Sequence, residues 1–344
     1  MKTKPFDALV ITSIAPPTGV LQHYAQECQR RGIHFIVVGD TKSPADFHLD
    51  GCDFYSITRQ KSLPFRLAQW LPEKHYARKN LGYLIAWQHG ARVVAETDDD
   101  NIPLESFWRP AMRAAEAAVA ENTGWVNVFR QFTDAHIWPR GFPLEMVNQP
   151  VVARTALPVR MVTCMIQQGL ANQNPDVDAV YRMTQPLPVD FDDDAPVAIG
   201  RGAWCPFNTQ NTLWQRDAAL LMYLPSWCSF RMTDIWRSFV AQRLGWECGW
   251  HVLFTAATVR QERNEHNLMR DFAEEIPGYL NNLRLCAALE RLPLSPNDGD
   301  MANNLRSCYQ TLVSMRLIDQ RELALVDAWQ EDISDVLCGV KGYW

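Results

Sequence analysis

Arg92-Val93-Val94-Ala95-Glu96-Thr97-Asp98-Asp99-Asp100 is the stretch that decides the fold. A short apolar run rich in β-branched residues reads as a buried strand, and it runs straight into three consecutive aspartates. Adjacent carboxylates repel one another unless something offsets their charge. A divalent cation does so while bridging phosphate oxygens, and Mg2+ or Mn2+ suits an all-oxygen set. An acidic surface turn, or an Asx cap before Ile102-Pro103, explains an isolated triple acid at least as well. The place of these acids at a strand end favours a ligand site, because ligands of α/β sheets lie beyond the strand C-termini.

Upstream, Ala8 to Ser13 reads as a strand, Pro17-Thr18 opens a helix to about Arg31, and Ile33 to Val38 is a second strand ending at Gly39-Asp40. Pro72 to Gly90 reads as a helix carrying Arg78, Lys79 and Asn80. This alternation predicts βαβ units and a parallel sheet. From Gly124 to Thr233 the pattern turns to short strands and loops rich in proline and tryptophan, a composition suited to a binding surface. A helix over Asp234 to Leu244, a strand-like His251 to Thr258 and a mostly helical tail follow. The expectation is an α/β domain over residues 1–276 and a helical C-terminal extension over 277–344.

With 344 residues, 47% hydrophobic and 21% charged, the chain can bury a full core. Its net charge of -6 and lack of a basic run point away from nucleic acid. The longest apolar runs are too short or too interrupted for an integral membrane segment, and the N-terminus lacks an export pattern. A cytoplasmic location, at most peripheral to a membrane, is therefore expected. Nine scattered cysteines without a CxxC pair read as reduced thiols.

Several side chains could serve a diphosphate ligand. Arg78 could pair bidentately with phosphate, beside Lys79, while Asn80 could read a base or ribose. A solvated helix start explains these three as well. Asp40 could accept from a ribose hydroxyl, or simply shape a turn. Arg140 could neutralise a leaving diphosphate or hold a loop. Tryptophans 138, 204 and 214 stand among polar residues, where an indole such as Trp204 could stack on a sugar face, although core packing is the commoner role.

Ser13-Ile-Ala-Pro-Pro-Thr18, Val38-Gly-Asp-Thr-Lys-Ser-Pro44, Tyr76-Ala-Arg-Lys-Asn-Leu-Gly-Tyr83, Gln88-His-Gly-Ala91 and Thr97-Asp-Asp-Asp100 together resemble the STELLO family of glycosyltransferases. The likeness continues through Trp138-Pro-Arg-Gly-Phe-Pro-Leu144, Gln167-Gln-Gly-Leu170, Pro175-Asp-Val-Asp178 and Asp234-Ile-Trp-Arg237, over roughly residues 8 to 265. This resemblance implies a GT-A-like fold, a Rossmann-like mixed sheet flanked by helices. It also implies a metal-binding aspartate motif, a nucleoside diphosphate sugar donor (a UDP-sugar first among them) and a glycan or lipid-linked acceptor.

In that scheme Asp98 and Asp100 hold Mn2+ or Mg2+, with His266 as a late metal ligand. Asp99, Asp40, Arg78, Lys79, Asn80, Arg140 and Trp204 contact substrate, and Asp234 at its helix start is the catalytic base. A more distant similarity reaches the plant UDP-arabinopyranose mutases through Arg140-Gly-Phe-Pro-Leu-Glu145. The second arginine of that mutase segment falls near Val147 here and is missing. A ring-form mutase and a non-catalytic partner of a glycan-synthesis complex are the alternative readings.

Overall fold

The computed structural model describes residues 4–262, 267–296 and 298–339, so the expected metal ligand His266 lies outside the described residues. The chain opens on β1 (Ala8–Thr12), α1 (Gly19–Arg31), β2 (His34–Val38) and β3 (Asp53–Tyr55). Thr18 caps α1 by accepting from the Leu21 N–H at 3.2 Å, and Gly32 ends it with φ at 67°. Two short helices, α2 (Ile57–Lys61) and α3 (Arg66–Trp70), follow.

The single helix expected over Pro72 to Gly90 is instead a turn, a 3-10 segment at Tyr76–Arg78, and α4 (Lys79–Gln88). Lys74 adopts a left-handed φ of 58°, and the Asp40 carboxylate takes the Lys74 and His75 N–H groups at 2.9 Å each. Those contacts hold the backbone in a turn. Every residue of α4 from Lys79 to Trp87 is buried. Gly82 allows the close approach this needs, since a Cβ there would lie 2.5 Å from a Val10 methyl on β1.

Next come β4 (Val93–Thr97), β5 (Asn101–Pro103), β6 (Ala114–Ala120) and β7 (Gly124–Trp125). Then follow β8 (Val159–Asn172), α5 (Ala179–Thr184), β9 (Val197–Ile199), β10 (Ala203–Trp204) and β11 (Asn211–Gln215). The main sheet runs β3-β2-β1-β4-β11-β8-β6-β9-β12-β5, where β12 is His251–Gln261. β1 to β4 are parallel and β11 enters antiparallel between β4 and β8. The 14-residue β8 was not foreseen among the short strands. It pairs with β6 along its first half and with β12 along its second. This mixed sheet flanked by helices, with a helical C-terminal region, matches the GT-A-like expectation.

α6 (Thr233–Glu247) is buried from Thr233 to Trp246, and α7 (Leu268–Arg291), α8 (Met301–Ser314) and α9 (Glu322–Gly339) complete the chain. α7 runs through Pro277, so the expected division at 276/277 falls inside a helix. Leu84, Phe239, Leu305 and Trp329, from α4, α6, α8 and α9, belong to one hydrophobic core. Among the described residues no helix is long and apolar enough to cross a membrane.

A buried carboxylate on α9 ties the tail to the sheet side: Asp332, 1% exposed, accepts from the first two N–H groups of α3, at Arg66 (3.0 Å) and Leu67 (2.9 Å). Asp332→Ala leaves both donors unpaired and is expected to cost about 2 kcal/mol, with Asp332→Asn costing much less. Urea unfolding measures this, and an alanine variant within 0.5 kcal/mol, roughly the scatter of neutral surface changes, would contradict it.

Candidate functional site

The last two residues of β4 are polar yet wholly buried. Glu96 pairs with Arg237 of α6 at 2.9 Å, both at most 1% exposed, and accepts from the Trp214 indole (2.8 Å) and the Tyr83 hydroxyl. Thr97 donates to the Gln210 carbonyl at 2.6 Å, and the Asn101 amide reaches the same carbonyl at 2.8 Å. The loop between Thr97 and Asn101 is therefore pinned at both ends, and it carries the three aspartates to the C-terminal end of the sheet.

Each acid has a different setting. Asp98 faces Lys79, whose Nζ lies 3.3 Å from Oδ1. Burial pushes the Asp98 carboxyl up, to about 7, against the pull of Lys79, and the 38% of the side chain still open to water moderates the rise. Asp99 accepts from the Ser13 hydroxyl, and burial raises its carboxyl against that bond. Both Asp100 oxygens lie 3.1 Å from the Gln261 amide nitrogen.

Asp99 also lines a cleft of about 270 Å³ beyond the ends of β1 and β2, walled by Thr12, Gly39, His75, Arg78 and Phe230. At its edge Ile14 is 52% and Phe230 40% exposed, beside the exposed Lys42 and Lys74. Arg78 is buried, with Nε on the Gln60 side chain (2.6 Å) and Nη1 on the Leu71 carbonyl (2.9 Å). Its Nη2 is buried without a partner. His75 accepts the Ala77 N–H on Nδ1 at 3.0 Å, and burial lowers its pKa to about 4, so the neutral ring carries its proton on Nε2. That nitrogen is likewise buried and unpartnered. Two residues that line one cleft, Arg78 and His75, thus each carry a buried N–H without an acceptor, a costly arrangement. On the far side of Asp99 a more open cleft runs past Asp100 to Thr18 and Gly19 at the start of α1.

Other expected contacts are engaged elsewhere. Asp40 holds the 74–75 turn. Asn80 clamps the backbone of Leu224, donating to its carbonyl and accepting its N–H, each at 2.9 Å. Trp204 is 2% exposed and packs against Trp246 and Phe239, so its ring meets core rather than a sugar. Trp138 and Trp214 are also buried.

Arg140 spends every N–H inside the protein, on Asp176, on Asp234 and on the Arg231 carbonyl, which leaves none for a diphosphate. Asp234 accepts from Arg140 (3.0 and 2.9 Å), the Tyr76 hydroxyl (3.1 Å) and the Thr209 N–H (3.3 Å). Burial would raise its carboxyl, but the guanidinium wins and holds it below the usual range. A carboxylate so saturated is a poor proton acceptor, and the expected base role of Asp234 lacks support in this geometry.

Reading the residues alone missed His75, Ser13, Gln261 and the Glu96–Arg237 pair. A charged residue inside the apolar run Val93 to Thr97 was the one visible sign of that pair.

A family model described as STELLO glycosyltransferases matches residues 231–339. The chain is 32% identical over 250 residues to "Probable glycosyltransferase STELLO2" of Arabidopsis thaliana, an alignment covering 67% of this chain and 33% of that protein. It is 32% identical over 243 residues to "Probable glycosyltransferase STELLO1" of the same plant, covering 64% and 31%. The chain belongs to the STELLO family. It spans about a third of the length of these STELLO relatives. The matched segment opens with Arg231, Asp234 and Arg237 and runs to the end of α9, so it contains one half of the Glu96–Arg237 pair.

Arg140 bridges Asp176 and Asp234, so Arg140→Met leaves two buried carboxylates facing each other. The expected loss is about 3–5 kcal/mol of stability by chemical denaturation. A loss below about 1 kcal/mol, the range of an exposed pair, would mean that the triad is not held as drawn.

Proposed function

We propose that this chain is a glycosyltransferase domain that binds a nucleoside diphosphate sugar, UDP-linked first among the candidates, and transfers the sugar to a hydroxyl of a glycan or lipid-linked acceptor. The observation that carries the reading is the cleft whose two unpartnered donors, Arg78 Nη2 and His75 Nε2, sit beside the acid-bearing loop. A base or ribose that draws these two N–H groups into the cleft supplies the oxygen acceptors they lack, and the exposed Ile14 and Phe230 at its edge suit a flat ring. From there a diphosphate would pass Asp99 toward the start of α1, where backbone N–H groups favour negative charge.

A divalent cation fits the donor set. Asp98 and Asp100 offer hard carboxylate oxygens, and among the described residues no group of three or more His, Cys, Asp or Glu side chains converges. Mg2+ or Mn2+ bound through one or two carboxylates completes its shell with water and phosphate oxygens. When bound, such an ion stabilises the charge that builds on the departing diphosphate. The chain's own part is to orient: Ser13 fixes Asp99, Gln261 fixes Asp100, and His75 and Arg78 fix the nucleotide end.

The mutase alternative loses ground on Arg140, which is 6% exposed and engaged at every N–H. Incubation with a UDP-sugar is expected to leave the intact mass unchanged, and a hexose or pentose adduct mapped to Arg140 would overturn this.

Calorimetry with UDP tests the main reading. Binding is expected in Mn2+ and lost in EDTA, weakened at least tenfold by Asp100→Asn and about tenfold by His75→Phe, the scale of one buried hydrogen bond. Equal affinity in Mn2+ and EDTA would sink the metal, and wild-type affinity in His75→Phe would remove the nucleotide from this cleft.

A further inference from the structure

Lys79 is an unusual residue to find beneath an acidic site. It opens α4 with a side chain that is 0% exposed, and its ammonium donates to the Thr97 carbonyl at 2.9 Å, to Asp98 Oδ1 at 3.3 Å and to the Thr209 carbonyl at 3.4 Å. Both carbonyls belong to elements that already meet at this point: Thr97 ends β4, and the Thr209 peptide donates its N–H to Asp234. A buried ammonium needs a compensating anion, and Asp98 is the carboxylate that faces it.

We infer that Lys79 is a fixed counter-cation for Asp98, so that Asp98 is a positioning residue and the divalent cation rests on Asp100 instead. The inference builds on the metal-assisted donor site proposed above and divides the labour within it. The Lys79 ammonium offsets the Asp98 charge, and without it the loop repels a diphosphate more strongly. The ammonium also fixes the Asp98 carboxylate against the loop backbone, so that the direction of the next two acids does not depend on whether a metal is present.

Removing the pair as a unit separates this role from that of a metal ligand. The Lys79→Met/Asp98→Asn double variant loses one charge of each sign and leaves no buried ion alone, whereas Asp98→Asn by itself strands the ammonium. Mn2+ affinity is read by calorimetry and by the electron paramagnetic resonance of free Mn2+, with and without UDP, on variants whose far-ultraviolet circular dichroism matches the parent. The double variant is expected to bind Mn2+ within about threefold of the parent, while Asp100→Asn weakens it tenfold or more. Lys79→Met alone is expected to bind Mn2+ more tightly and UDP-Mn2+ more weakly, a split that a merely structural lysine would not produce.

Loss of Mn2+ binding in the double variant equal to that in Asp100→Asn would make Asp98 a ligand and overturn the inference. A parent chain that binds no Mn2+ even with UDP would overturn the metal site itself, an outcome told apart by the parent measurement alone.

Discussion

The buried ion pair between Glu96 and Arg237 is the constraint on which the rest of the site depends. Two full charges lie out of water in the middle of the molecule, and each meets several partners, although Arg237 Nε has none. Glu96 also receives Tyr83 from α4 and Trp214 from β11, while Arg237 donates to the Asn208 carbonyl at 3.2 Å and lies 4.9 Å from the centre of the Trp214 ring. Four elements therefore meet at one pair. Breaking such a pair by removing one partner typically costs about 3–5 kcal/mol, most of it the penalty of the charge left behind. Its value here is geometric: it fixes the end of β4 against α6, and after Thr97 the chain leaves β4 into the three aspartates.

One turn back along α6, a second buried network repeats the device. Asp234 and Asp176 share Arg140, and Asp176 accepts from Asn208 at 2.8 Å while Asp234 reaches Thr209. Residues 208 and 209 thus connect both networks to Lys79 and so to Asp98. The acids that look most chemical in the sequence divide into those that hold the frame and those that face the cleft. Desolvation explains the division: a buried carboxylate persists as an ion only where a guanidinium or several N–H groups surround it, and that same environment removes its capacity to take a proton.

The fold was legible because its signals are periodic. β1, α1, β2 and β4 each announce themselves by an apolar run or a cap such as Thr18, and their order implies the parallel half of the sheet. β8 escaped because a strand buried on both faces for part of its length and exposed at Val159 and Met161 has no single period. The site was half legible. Lys79 reaches Asp98, and Arg78 and Asp99 line the same cleft, but Asn80, Arg140, Trp204 and Asp234 turn inward. A polar side chain's partners are set by tertiary contacts more than 100 residues away, as Asn80 with Leu224 and Glu96 with Trp214 illustrate, and no local pattern encodes them. His75 was passed over because its donor role follows from a neighbour, Ala77, fixing its tautomer.

Under the proposed function a nucleoside diphosphate lies in the cleft between the ends of β1 and β2 and the 74–78 turn, with its phosphates at the acid loop. Amide hydrogen exchange of the chain with and without UDP and Mn2+ tests this most directly. Added protection is expected at residues 12–14, 18–20, 39–41, 74–78 and 98–101 together, with the core of α6 unchanged. Protection that appears instead around Phe107, Asn211 and Thr258 on another cleft of the sheet, or none at these five segments under saturating ligand, would contradict it.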